Sequence, residues 1–125
     1  MYKIELPLLG FEDIKQLSIK EIDDNFSTLI LDEKKKLNIN LVNISYFKKV
    51  NFNFNIEDEI LEKLNINELK DFEIYFCVVM QTPVEDSIVN LAAPVLINHK
   101  QKLIGQYVIK DRIPQLLTTL ESNII

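Results

Sequence analysis

DFEIYFCVVMQ, residues 71–81, decides the fold. Phe72, Ile74, Phe76, Val78 and Met80 recur at every second position, so an extended strand sets all five on one face. Tyr75, Cys77 and Val79, which fall between them, are largely apolar too. A strand that is apolar on both sides is covered on both sides, which predicts a central place in a sheet.

The reading extends outward from there. VNLAAPVLINHKQKLIGQYVI (89–109) reads as a hairpin with two apolar arms and NHKQK as its polar turn. Pro94 has no N–H to give, so it belongs at a bulge or an edge position where no ladder bond is needed. Asn90 and Asn98 are expected to be at least partly buried and hydrogen-bonded to main chain where regular pairing stops. Upstream, KQLSIKEI (15–22), FSTLILD (26–32) and LNINLVNIS (37–45) are short, rich in branched aliphatics and separated by polar turns such as Asp23-Asp24-Asn25. In NFNFN (51–55) the asparagines alternate with Phe52 and Phe54, which predicts a sheet with one wet face.

Helical signals are few. Ile56, Ile60, Leu61 and Leu64 share one helix face, Glu57, Asp58 and Glu59 complement the dipole of a first turn, and Asn55 is placed to cap it. A second helix is expected at the C-terminus, with Pro114 near its start and Ile113, Leu116, Leu117 and Leu120 along one side. The sum is a mostly-β domain spanning 1–125, with seven or eight short strands and two short helices. A small barrel-like antiparallel closure is expected, because it hides strand edges.

Composition narrows the function. The chain has 125 residues, 47% hydrophobic and 26% charged, with a net charge of −5. That balance argues against direct nucleic-acid binding, which rests on a basic excess. The only tight basic run, Lys34-Lys35-Lys36, follows Asp32-Glu33 and reads as a solvated turn. No apolar run has the ~18 residues of a membrane span, and the first residues lack a signal-peptide core. Cys77 stands alone in an apolar run, so it reads as a buried thiol in a reducing, cytoplasmic compartment.

Candidate chemistry is sparse. Gly10 and Gly105 are isolated, so there is no phosphate loop. One His and one Cys fall short of a metal set, and no cofactor is expected. His99 sits in the NHKQK turn and reads as a solvated residue. Glu12-Asp13, Asp23-Asp24 and Glu85-Asp86 are adjacent pairs, which on a strand point to opposite faces and build no shared proton site. Glu85-Asp86-Ser87, after Pro83, is either a turn bonded to its own backbone or a displayed acidic loop that meets a partner. The residues thus describe a binding module rather than an enzyme. A small-molecule-binding β-barrel and a structural subunit of a larger assembly are the alternatives.

GFED (10–13) together with residues 71–109 resembles the FliW family of flagellar assembly factors. The shared elements are Pro83, the Glu85-Asp86-Ser87 turn, Asn90-Leu91-Ala92-Ala93-Pro94, Val95, Ile97-Asn98 and the final strand KLIGQYVI. The chain departs from the family at Leu9, where a proline is usual before Gly-Phe-Glu. The resemblance implies a barrel-like β fold and a cytoplasmic, non-enzymatic regulator of flagellum assembly. It implies binding to flagellin before export and to the translational repressor CsrA, with no membrane, small-molecule substrate or nucleic acid bound directly. Freed of flagellin, such a protein captures CsrA and relieves repression of flagellin synthesis.

Two segments are the expected partner contacts. Tyr46, Phe47, Lys48 and Lys49 combine aromatic and charged side chains, as interfaces do, although Phe47 also suits a core. The turns at Glu85, Asp86 and Ser87 and at Asn98 to Lys102, including Lys100, form the second set. Gly10, Phe11, Asn90, Ala93, Pro94 and Asn98 are assigned to scaffold.

Overall fold

A computed structural model describes residues 1–47 and 56–109 together with the backbone of 117–119. The expected strand at 51–55, Lys48, Lys49 and most of the C-terminal segment lie outside the described residues. Nine strands are present among the described ones: β1 Tyr2–Leu6, β2 Gln16–Glu21, β3 Phe26–Asp32, β4 Leu37–Asn43, β5 Glu73–Val79, β6 Ile88–Asn90, β7 Val95–Asn98, β8 Leu103–Gln106 and β9 Leu117–Thr119.

Seven of these strands close into a barrel. Strands β1 to β4 form an antiparallel meander, β4 pairs with β5, β5 with β7, β7 with β8, and β8 returns parallel to β1. The far half of β5 turns to a different neighbour, β6, which in turn pairs with β9. The mostly-β, barrel-like fold expected from the sequence is therefore present. β1, however, had no local signal strong enough to mark it. β9 corrects the expected C-terminal helix, because Leu117 to Thr119 run extended along the free edge of β6. The β-branched Thr118 and Thr119 suit that pairing better than a helix.

Alternation explains the meander. In β4, Leu37, Ile39 and Leu41 point inward while Asn38 and Asn40 are exposed; from Val42 onward both faces are buried. That change marks where a second core begins. The barrel interior is filled by Leu8, Leu17, Leu29, Leu41, Tyr75, Val95, Ile97 and Ile104. Outside the wall, Val42, Phe47, Phe76, Val78, Val89 and Leu91 form the second core. β5 thus separates two cores, as its double apolar face predicts. Coverage stops at Val78, however, and Val79 and Met80 are exposed.

A third core holds the helix α1, Asp58–Lys63. Ile56, Ile60, Leu61 and Leu64 pack with Leu6, Ile66, Leu96 and Tyr107, the face that the sequence spacing marks out. The cap is Glu57 rather than Asn55, and it makes no side-chain capping bond.

Candidate docking surface

The family-motif residues serve the scaffold locally. Gly10 adopts φ +85°, in the left-handed region that favours glycine, and its N–H donates to the Glu12 carboxylate at 2.9 Å. Phe11 packs partly against the barrel core. Pro94 is buried immediately before β7, where no ladder N–H is required, and its carbonyl accepts from Tyr107 N at 2.9 Å. The carbonyl of Ala93 accepts from Gln106 Nε2 at 3.0 Å. Asn90 Oδ1 accepts from Ala92 N at 2.9 Å and turns the chain at the end of β6. Asn98 is 1% exposed; its amide donates to the Leu64 carbonyl at 2.8 Å, while its oxygen accepts from Gln101 N at 3.1 Å. One side chain thus ties the β7–β8 turn to the end of α1.

Several expected contact residues are therefore unavailable to a partner. Asn98 is buried. Phe47 is 5% exposed and stacks edge-on against Phe76, with centroids 6.0 Å apart, so it belongs to the second core. Ser87 is fully buried, and its hydroxyl accepts from Gln81 N at 2.9 Å, closing the loop between β5 and β6. Each carries polar or aromatic chemistry that the surrounding fold consumes.

Tyr46, Glu85 and Asp86 remain accessible. Tyr46 lies at the end of a 3-10 turn, Ile44–Tyr46, that Asn43 caps by accepting from Ser45 N. It is half-buried against Phe26 and Phe47. Burial raises the pKa of its phenol, and the negative charge of Glu85 raises it further. Tyr46 and the Glu85 turn, distant in sequence, are therefore neighbours. Glu85 and Asp86 are exposed on the 3-10 turn Val84–Asp86.

The Lys100 turn is elsewhere. It adjoins the Glu73 end of β5, where it lines a hollow with Lys70, Asp71 and His99, whereas the Glu85 turn follows the Val79 end and lies by Tyr46. The two expected turn sites do not form one surface. His99 also differs from the expected solvated residue. Its Nδ1 lies 2.8 Å from the Tyr2 hydroxyl, and its Nε2 lies 3.2 Å from the Glu73 carboxylate and 3.4 Å from the Tyr75 hydroxyl. The carboxylate assigns the proton to Nε2, leaving Nδ1 to accept from Tyr2. Glu73 accepts in turn from Asn43 Nδ2 at 2.7 Å. This chain of side chains joins the ends of β1, β4, β5 and the β7–β8 turn.

The principal exposed apolar surface lies at the Met80 end of β5. Along the β4–β5 ladder the last pair there is Asn40 with Val78, so Asn38 and Ile39 part from Val79 and Met80. A groove of about 640 Å³ occupies that gap, lined by Ile39, Asn40, Val79, Met80, Ile88 and Asn90 among others. A second of about 220 Å³ shares Asn40 and Met80 with it and continues to Phe26, Ile22 and Val84. Ile22, Val79, Met80, Val84 and Ile88 are each between 41% and 61% exposed, and they are five of the nine exposed large apolar side chains among the described residues. An apolar surface of this kind marks an interaction site. The sequence did hold a signal for it: Met80 and Val84 flank the turn residues Gln81-Thr82-Pro83, where a buried core does not extend.

Cys77 lines the same groove on the barrel side, yet burial pushes its thiol up to about 11, so it stays protonated and unreactive. Among the described residues no group of acids, His and Cys is placed to hold a metal ion, and no helix is long and apolar enough to cross a membrane.

Comparison with known proteins agrees with this architecture. Residues 1–118 match the family model described as FliW protein. The flagellar assembly factor FliW 2 of Helicobacter hepaticus is 36% identical over 98 residues, covering 78% of this chain and 70% of the relative. The flagellar assembly factor FliW of Sulfurimonas denitrificans is 29% identical over 110 residues, covering 88% and 86%. A crystal structure of the flagellar assembly factor FliW superimposes with a TM-score of 0.81 at 25% identity, covering 94% of this chain and 83% of that one. With the family model spanning residues 1–118 and the fold in agreement, the chain belongs to the FliW family of flagellar assembly factors.

Proposed function

We propose that this flagellar assembly factor is a cytoplasmic, non-enzymatic partner switch. It binds flagellin before export; once flagellin leaves, it binds CsrA and relieves repression of flagellin synthesis. The exposed apolar surface around Met80 carries this reading, because it is the kind of face that a protein partner covers. A net charge of −5 supports contact with RNA control through a protein rather than with RNA itself. A ligand-carrying barrel would need interior space that Leu17, Leu29, Leu41, Val95 and Ile104 occupy.

Exchange between two partners follows their relative affinities and free concentrations. The test is a competition pulldown with purified flagellin and CsrA. Capture of each alone, with added flagellin displacing CsrA, is the expected result. Capture of neither protein removes the reading.

A further inference from the structure

The two grooves that meet at Met80 and Asn40 differ in charge along their length. At one end Ile22 is followed by the exposed acids Asp23 and Asp24, and Val84 is followed by the exposed Glu85 and Asp86. Among the described residues, Lys20, opposite Thr28 in the β2–β3 ladder, is the cation set against these four acids. At the other end Asn38 adjoins the Asp32–Lys36 turn, which carries two acids and three lysines. The floor between the ends is apolar: Ile39, Val79, Met80 and Ile88. Met80 adds a flexible thioether that adapts to the shape it meets. Asn38, Asn40 and Asn90 line the same groove with amides able to bond a peptide backbone.

We propose that this continuous groove docks a peptide segment of a partner protein that carries apolar anchors in its middle and basic residues at one end, the basic end lying over Glu85 and Asp86. The apolar floor supplies contact area, and the acidic end supplies direction and selectivity, since a like-charged segment is repelled there. This rests on the reading of the chain as a partner-binding regulator, and it adds the chemistry and orientation of the bound segment.

Overlapping short peptides tiling flagellin and CsrA, immobilised and probed with the full chain, test it. Bound peptides are expected to place Lys or Arg beside an apolar run. Their signal falls roughly tenfold with Met80→Asp plus Ile88→Asp and, separately, with Glu85→Lys plus Asp86→Lys, and it weakens as salt rises. All four positions are exposed, and an unchanged melting temperature verifies that the variants fold. Binding of acidic or uncharged peptides, signals that neither variant alters, or the absence of any bound peptide overturns the proposal. Whole flagellin or CsrA captured equally by the wild-type chain and the Met80→Asp, Ile88→Asp variant removes the groove but leaves the partner-switch reading standing. Failure of the wild-type chain to capture either whole protein removes that broader reading instead.

Discussion

A Cβ placed on Gly105 would lie 2.6 Å from the Cβ of Leu6. The contact sits on the parallel β1–β8 seam, next to the irregularity between Ile4 and Leu6, so backbone approach there depends on a missing side chain. Gly105→Ala is expected to destabilise the fold by about 1–3 kcal/mol through overpacking. Because the nearest clash is with the Cβ of Leu6, which alanine would keep, Leu6→Gly is the change that should make the glycine substitution less costly. A double-mutant cycle by urea unfolding measures this, and strictly additive effects would show that the strain lies elsewhere.

Asn98 makes a separate prediction. Asn98→Leu removes the donor to the Leu64 carbonyl and the acceptor for Gln101 N. Leaving buried polar groups unpaired costs about 1–3 kcal/mol each. Hydrogen exchange should show α1 and the β7–β8 turn loosening together, since this side chain joins them. Loosening confined to the turn would mean that the tie to Leu64 contributes little.

Alkaline pH probes Tyr75. Burial, and then the charge of Glu73, pushes its phenol from 10.0 up to about 12. The neutral form is favoured by the fold, so the stabilisation is complete below the unfolded value of 10.0 and is lost as pH rises toward about 12. Tyr2 is shifted in the same direction, by burial first. Thermal unfolding of Tyr75→Phe across that window should show a shallower loss of stability than the wild-type chain.

Acid pH probes Asp71 in the opposite sense. Its carboxylate accepts from the backbone N–H groups of Asn67 and Glu68, each at 2.9 Å, and these bonds lower its pKa below 3.8. Its stabilisation is present above the unfolded value and is lost as pH falls through the folded one. Asp71→Asn should lower the melting temperature at neutral pH, and the gap from wild type should narrow as the solution is acidified.

Cys77 should resist alkylation. With its thiol raised to about 11 by burial, iodoacetamide at mildly alkaline pH should label the native chain far more slowly than the urea-unfolded chain. Equal rates would contradict a buried thiol.

The parts of the fold visible in the sequence are those that depend on near neighbours. FSTLILD marks β3 to the residue, and Ile56 to Leu64 marks the packed helix face, because periodicity alone sets both. β1 was hidden because five residues, two of them charged, carry too little pattern; its place is set by β2 and by β8, the latter distant in sequence. The site was less visible for the same reason. Phe47, Ser87 and Asn98 have side chains that suit an interface or an interior equally, and Phe76, Gln81 and Leu64 decided the matter. His99 stands in a polar turn, yet its Tyr2 partner is at the other end of the chain. Met80 belongs to the period of β5, and against that pattern the turn residues beside it are a weak signal; the parting of β4 from β5 shows that it is exposed.

The β1–β8 seam also sets an order of events during synthesis. Ile4 pairs with Ile104, so β1 leaves the ribosome long before its partner β8. Until β8 emerges, the nascent meander β1–β4 carries bare strand edges on β1 and on β4, the kind of edge that recruits other chains. The barrel can close β4 onto β5 first, but it seals only once β8 has been made, which makes the newborn β1–β4 meander the part most dependent on protection from aggregation.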